Sequence, residues 1–220
     1  METAGSVDPS AAATPAQAAH QAASVRLATS ADRPRLLRAL AEAFYADPCM
    51  GWVFRDDTRR LGQVERIFGF FGGRVWFEND LTYTTDGIAG GSIWVAPGRW
   101  RVGTFQELLM LPGMVSSAGL RDLPRMLRFV ARMESEHPRD PHYYLPVIGV
   151  APAWQGKGIG TALLAPVLAH CDREGMPAYL EASSPRNRAC YERNGFEATG
   201  EIRVSDSPPL WPMWREPRAG

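Results

Sequence analysis

Apolar positions along the chain recur with two periods, about 3.6 and about 2, in an order that alternates helices with strands. Near the start, Val25-Arg26-Leu27-Ala28 alternates and reads as a first strand. Thr29 or Ser30 then caps a helix whose apolar face carries Leu36, Leu37, Leu40, Ala41 and Phe44. Asp47-Pro48 breaks that helix and Cys49 to Phe54 follows as an aromatic loop. Arg59 to Phe71 resumes helical spacing through Leu61, Val64, Ile67, Phe68 and Phe71. Leu81 to Thr85 and Gly91 to Ala96 make a hairpin around Asp86-Gly87 that leads into a Pro97-Gly98 turn. Thr104 to His137 is helical in pattern, interrupted at Pro112-Gly113 and at Pro124.

The last third of the chain is more sharply punctuated. His142 to Val150 is a strand entered after Pro141. Ile159, Ala162, Leu163, Pro166, Val167, His170 and Cys171 then lie on one side of a helix from Gly158 to about Glu174, with Gly175 as its stop. Pro166 deletes one backbone hydrogen bond inside it and predicts a bend. Pro177 to Ala182 returns as a strand, and a strand, helix and strand in this order predict a right-handed crossover. Ser184-Pro185 opens a two-turn helix that Asn194-Gly195 ends. Phe196 to Val204 and Leu210 to Trp214 would close the sheet as antiparallel strands, Pro212 confining the last to an edge or a bulge.

Composition acts mainly by exclusion. A chain of 220 residues with 45% apolar residues is sized for one domain with a full core. The formal net charge is zero, so no basic field recruits nucleic acid or an anionic membrane, and neither is expected as a partner. No stretch reaches the ~20 apolar residues of a membrane span. Cys49, Cys171 and Cys190 have no metal-ligand spacing and cannot all pair, which favours reduced thiols and a cytoplasmic setting. Met1 to Ala23, rich in Ala, Ser, Thr, Pro and Gln, lacks the basic start and apolar core of a signal peptide. It reads as a disordered tail over 1–23, ahead of a domain over 24–217.

The first candidate chemistry lies where the His142 to Val150 strand meets the following helix. Pro152-Ala153-Trp154-Gln155-Gly156-Lys157-Gly158-Ile159-Gly160 is a glycine-rich turn opening an amphipathic helix. Helix-start N–H groups lack intrahelical acceptors and carry positive partial charge, so a phosphate fits there without a basic pocket. A P-loop is excluded, because Ala151 stands where its first glycine would and Gly158 where its Ser or Thr would. A dinucleotide fingerprint fails as well, since Thr161 replaces its third glycine.

A second segment, Ser184-Pro185-Arg186-Asn187 followed by Tyr191 and Gly195-Phe196, places Asn187 and Tyr191 four apart on one helix face. The glycine loop and this segment together resemble the GNAT superfamily of N-acetyltransferases. That resemblance implies an α/β (α+β) fold. Its sheet is mixed, mostly antiparallel and twisted, with six to seven strands, helices on both faces and central strands splayed to admit acetyl-CoA. Val25 to Thr29, Leu180-Glu181 and Trp211 to Arg215 extend the likeness toward puromycin N-acetyltransferase and its actinobacterial relatives, densely only from Tyr144 onward.

The resemblance also implies roles. Acetyl-CoA would be the co-substrate, with no metal required. Val147 or Ile148 would offer a bulge N–H to the thioester carbonyl, and Gly149 and Val150 would pair with pantetheine. Gln155, Gly156, Lys157, Gly158, Ile159, Gly160 and Thr161 would cradle the pyrophosphate. Asn187 would contact the pantetheine or phosphate region, and Tyr191, near the sulfur, would be the general acid.

Transfer to an amine also needs a base that leaves the nitrogen neutral. Glu181 leads, because a carboxylate between Leu180 and Ala182 in a buried strand needs a reason to be there. His142, Tyr143, Tyr144 and Asp47 are the alternatives. Trp52, Phe54 and Tyr144 are expected to contact the acceptor, and the 104–137 region either lines its pocket or packs between subunits of a homodimer. These features favour transfer of an acetyl group to an amine of a small molecule. A protein or peptide N-acetyltransferase and a non-catalytic CoA-binding sensor are the rival readings.

Overall fold

The computed structural model describes residues 24–71, 81–100 and 112–218. The expected tail over 1–23 and the stretch 104–111 lie outside the described residues. Seven strands form one sheet: β1 (Val25–Leu27), β2 (Thr82–Thr85), β3 (Gly90–Val95), β4 (Tyr143–Val150), β5 (Ala178–Ala182), β6 (Glu197–Ala198) and β7 (Trp211–Arg215). Their order is β1-β2-β3-β4-β5-β7-β6, with β4 and β5 parallel and every other pair antiparallel. The described helices are α1 (Arg33–Phe44), α2 (Pro48–Val53), α3 (Asp57–Phe71), α4 (Leu123–Glu136), α5 (Ile159–Glu174) and α6 (Pro185–Arg193), with a further helical stretch at 112–118.

The two faces of the sheet are covered by different helices. Leu36 and Leu40 of α1, Val64 and Phe68 of α3, and Met126 and Phe129 of α4 pack with Ile93 and Val147 in one core. Leu164, Val167 and Cys171 of α5 pack with Trp94, Leu145, Leu180 and Tyr191 in the other. The alternation of Ile93 and Trp94 within β3 divides the two cores, as a pleated strand requires. Close packing also explains a glycine: a Cβ on Gly149 would lie 2.8 Å from Ala43 Cβ and 3.2 Å from Leu40. The α1 helix therefore sits directly on β4.

Two ion pairs tie ends of elements together. Arg26 donates from both terminal nitrogens to the Asp32 carboxylate, which also accepts from the Thr29 backbone N–H and hydroxyl and so fixes the turn into α1. Arg215 of β7 grips Asp172 of α5 with two bonds of 2.8 Å. The helix α5 continues through Pro166 as one element.

Three expectations change. Cys49 to Phe54 is not a loop: Pro48–Val53 is helical, because Asp47 accepts from the N–H groups of Cys49 and Met50 and Pro48 occupies the first turn. The strand expected over Phe196 to Val204 shrinks to Glu197–Ala198 and a single bridge between Ile202 and Leu210. Pro212 lies neither on the outermost strand nor in a bulge, since β7 runs between β5 and β6. Thr199 donates to the Pro212 carbonyl, so the side of Pro212 that lacks an N–H faces the position where β6 has just ended.

The centre of the sheet opens. Strands β4 and β5 pair only at Tyr143, Tyr144 and Leu145, opposite Ala178, Tyr179 and Leu180. Beyond Leu145, β4 runs on to Val150 beside β3 alone. Ile93 opposes Val147 whereas Val95 opposes Tyr144, so Leu145 and Pro146 together face Trp94 as a β-bulge where the splay begins. Pro146 cannot donate to a ladder, which suits it to that position.

Candidate active site

The bulge sets which backbone groups are available in the splay. Ala151 donates to Ala89, so residue 151 turns its polar groups toward β3, and alternation turns Gly149 and Val147 the same way. The N–H groups of Ile148 and Val150 therefore face the open side. Gln155 reaches back and donates to the Val150 carbonyl at 3.0 Å, which marks that edge as lacking a strand partner. Of the four backbone positions expected to meet acetyl-CoA, Ile148 and Val150 face the splay, and Val147 and Gly149 hold β4 to β3.

At the end of β4 the chain turns through Pro152–Trp154 into the glycine loop. Gly156 and Gly158 have φ of 77° and 79°, left-handed values that a side chain would strain, and Gly158 caps α5 without a side-chain bond. A Cβ added at Gly156, Gly158 or Gly160 would meet nothing within 4 Å. These glycines are thus not required by packing inside the protein; they leave a backbone-lined cradle beside the first-turn N–H groups of Ile159, Gly160 and Thr161. The residues present fit a pyrophosphate at the loop and an extended pantetheine along Ile148 and Val150. Lys157 lies over the Trp154 ring, 4.5 Å from its centroid, at the edge of this cradle.

The third wall of the splay is α6. Ser184 accepts from the Asn187 N–H and caps the helix, setting Asn187 and Tyr191 one turn apart. The Asn187 amide lies 3.4 Å from the Ser183 hydroxyl, which donates to Asp47 at the start of α2. Burial outweighs the three hydrogen bonds that Asp47 accepts and pushes its carboxyl above the ordinary range. Tyr191 is buried, and desolvation with Asp47 nearby raises its hydroxyl, which stays protonated at neutral pH and able to donate a proton.

On the other side of β4 lies a cavity of about 220 Å³. Met50, Val53 and Phe54 of α2, Ile67 and Phe68 of α3, and Met126, Phe129, Val130 and Met133 of α4 supply its apolar walls. Tyr144, Pro146 and Val147 of β4 and Glu181 of β5 supply the wall nearest the splay. The Glu181 side chain is 3% exposed. Its Oε2 accepts from the Tyr144 hydroxyl at 3.0 Å, whereas Oε1, also buried, has no hydrogen-bond donor among the described residues. Burial raises this carboxyl to about 7 against the pull of the neighbouring tyrosine hydroxyls. A carboxylate poised near neutrality and aimed into an apolar cavity is suited to take a proton from an amine.

The structure thus brings Glu181, Tyr144, Phe54 and Val147 to the cavity and Ile148, Val150, Gly156, Gly158, Asn187 and Tyr191 to the splay. Trp52 goes elsewhere: its indole donates to Asp206 at 3.1 Å and packs near Phe129. Tyr143 also turns away and donates to Glu174, while Asp47 serves as a helix cap. His142 stands behind the cavity wall, bonded to His137. The sequence reasoning did not single out His137, Trp100 or Pro146, all of which line the cavity. A signal existed for α4, since Met126, Phe129, Val130, Met133 and His137 share one helical face, but the same spacing serves a filled core.

Comparison with known proteins agrees with this geometry. The profile of the Acetyltransferase (GNAT) family matches residues 118–196, from before α4 to the end of α6. An uncharacterized N-acetyltransferase of Schizosaccharomyces pombe is 30% identical over 202 residues, spanning 84% of this chain and 80% of that protein. Among solved structures, one from Corynebacterium glutamicum, described as histone acetyltransferase HPA2 and related acetyltransferase, superposes with a TM-score of 0.68 at 25% identity, covering 90% of this chain and 97% of that one. Arylalkylamine N-acetyltransferase 2 from Aedes aegypti shares the fold, with a TM-score of 0.60 at 12% identity over 88% of this chain and 98% of that one. With that identity across most of two chains, and a splay, glycine loop and α6 arranged around one cleft, the protein belongs to the GNAT family of acetyltransferases.

Proposed function

We propose that this acetyltransferase takes its acetyl group from acetyl-CoA and delivers it to the amine of a small molecule with an apolar, ring-sized body. The observation that carries this reading is the cavity of about 220 Å³ walled by aromatic, aliphatic and methionine side chains, with Glu181 as its buried carboxylate. Its volume is below the usual ~300–1,000 Å³ of small-molecule pockets, which suits one ring and a short amine arm. Methionines at 50, 126 and 133 allow such a pocket to adapt to related ligands. The likeness to the puromycin N-acetyltransferase branch belongs to this reading and rests on the segments from Tyr144 onward.

The residues divide the work. An alkylammonium entering the cavity gives one proton to Glu181, so the nitrogen becomes neutral and its lone pair is freed for attack across the splay. Acetyl-CoA, when bound, supplies an activated thioester carbon. The Ile148 N–H, left without a strand partner, faces the side where the carbonyl oxygen gains negative charge and stabilises it. Tyr191, kept protonated by burial, donates its hydroxyl proton to the departing sulfur. Asn187, reached from Asp47 through Ser183, positions the chain that leads to the thioester. In sum, the C–N bond forms and the C–S bond breaks as the ammonium loses two protons, one through Glu181 and one that restores the hydroxyl proton Tyr191 gave to sulfur.

A second reading, transfer to a protein amine, is favoured by the description of the Corynebacterium neighbour as a histone acetyltransferase. Thiol release from acetyl-CoA separates the two when 2-phenylethylamine, tryptamine, puromycin, spermidine and a lysine-containing histone-tail peptide are offered in turn. Turnover with the ring amines and not the peptide supports the small-molecule reading. Turnover with the peptide alone would replace it, and acetyl-CoA binding without turnover on any amine would favour a sensor.

A further inference from the structure

Behind Glu181 lies a pair of buried histidines that none of the roles above uses. His137, the residue after α4, and His142, the residue before β4, approach each other at 2.9 Å between their Nε2 atoms. The Nδ1 of His142 lies 2.6 Å from the carbonyl oxygen of Asp140. The Nδ1 of His137 lies 3.9 Å from Glu181 Oε1, the carboxylate oxygen without a donor among the described residues. Both rings are enclosed. His137 stacks on Trp100 at 3.6 Å and meets Tyr144 and Tyr179 edge-on, and His142 packs against Tyr179 and Trp214.

The protonation pattern of this chain follows from one fixed end. A carbonyl oxygen can only accept, so His142 carries its hydrogen on Nδ1. Burial lowers the basicity of His142 and keeps it neutral, so its Nε2 is a lone pair. The Nε2 of His137 must then donate, which leaves the Nδ1 of a neutral His137 as a lone pair directed at Glu181 Oε1. In that tautomer His137 Nδ1 and Glu181 Oε1 are both acceptors 3.9 Å apart, and a proton placed between them joins the two side chains. A rotation of either side chain that closes the 3.9 Å gap makes that hydrogen bond.

We infer that Glu181, His137 and His142 form one proton-accepting unit, in which His137 receives the proton that Glu181 takes from the amine and His142 holds the His137 ring in the accepting tautomer. This rests on the reading of Glu181 as the base. The amine N–H bond breaks as an O–H bond forms on Glu181; that O–H bond then breaks as an N–H bond forms at His137 Nδ1. Glu181 is a carboxylate again, beside an imidazolium, and the proton leaves for solvent when the product vacates the cavity. A second proton site lets a base walled in by substrate be regenerated before product release. The other ionisable groups around the unit, among the described residues, are Tyr144 and Tyr179, whose hydroxyls burial keeps neutral, Glu134 and Glu136 of α4, and Asp140 in the turn. His142 acts only through His137 and is a positioning residue.

The test is nitrogen NMR of the full-length protein labelled with 15N-histidine, together with 13C-labelled glutamate, and it needs no acceptor. Expected are the Nδ1–H tautomer for His142, the Nε2–H tautomer for His137, and one shared titration seen at both the His137 ring and the Glu181 carboxyl. His137→Gln should move the Glu181 midpoint toward lower pH, because the Nδ1 acceptor that favours the protonated carboxyl is gone. His142→Gln should preserve the His137 tautomer, since the amide can accept from His137 and donate to Asp140, whereas His142→Leu should scramble it. An Nδ1–H tautomer at His137, or a Glu181 titration indifferent to His137→Gln, would overturn the unit. Failure of every amine to release thiol would instead strike the proposed function while leaving these spectra as predicted.

Discussion

Glu181 carries a stability cost that bears on its proposed role. Its folded-state carboxyl stands at about 7 against an ordinary 4.5, because burial disfavours the charge. Between those values the folded protein holds a proton that the unfolded chain has released, so stability falls as pH rises through that window. The loss is complete above about pH 7. Glu181→Gln removes the titration and should raise Tm at pH 8 by about 6–12 °C, on the order of 3 kcal/mol, with little gain near pH 4.5. Thermal unfolding of both proteins at the two pH values checks this, and an equal gain at both would show that charge burial is not the cause. Tyr191 makes a different prediction. Replacing it by Phe removes only the hydroxyl, so kcat should fall about tenfold or more while acetyl-CoA affinity is kept. Isothermal titration and initial rates, measured side by side, distinguish that loss from a weakened cleft.

At the scale of elements, legibility followed the strength of local punctuation. The strand, glycine loop and helix from β4 through α5, the return strand and the capped α6 were all readable, since Gly158, Gly175, Ser184 and Gly195 mark their ends with residues that tolerate few alternatives. The splay was legible only through the family resemblance; what the sequence does show at its origin is Pro146, a residue that cannot donate to a ladder. The helix α2 was missed even though Asp47-Pro48 is a helix start, because six residues are too few to show a period. The pairing of His137 with His142 was not legible, since a separation of five residues carries no spacing rule and the contact depends on the turn between α4 and β4. In the proposed function α4 is the acceptor wall, and Val130→Trp tests it. An indole at that lining position should raise the KM for the amine about tenfold and leave acetyl-CoA binding unchanged. An unaltered amine KM would move the acceptor out of this cavity.

The whole molecule divides its labour across one sheet. In the proposed function the glycine loop and the start of α5 hold the co-substrate with backbone groups, which need little beyond glycines and a helix start, and α6 adds the Asn187 and Tyr191 side chains. The α1 to α4 face, with side chains that differ freely in size, lines the cavity assigned above to the acceptor. Backbone recognition is therefore written in short motifs, whereas the cavity assigned to the acceptor is lined from α2, α3, α4 and β4, where no local pattern announces it. No described helix is long and apolar enough to cross a membrane. Glu181 joins the two halves, since it lines the cavity from the strand beside the splay. The decisive measurement is kcat/KM against pH, from about 5.5 to 9, for the wild-type protein and for Glu181→Gln, with whichever ring amine releases thiol fastest. The account predicts a wild-type profile that rises with a midpoint near 7 and a variant at least a hundredfold slower with that rise removed. A variant that retains the wild-type rate and the same midpoint would show that the proton goes elsewhere.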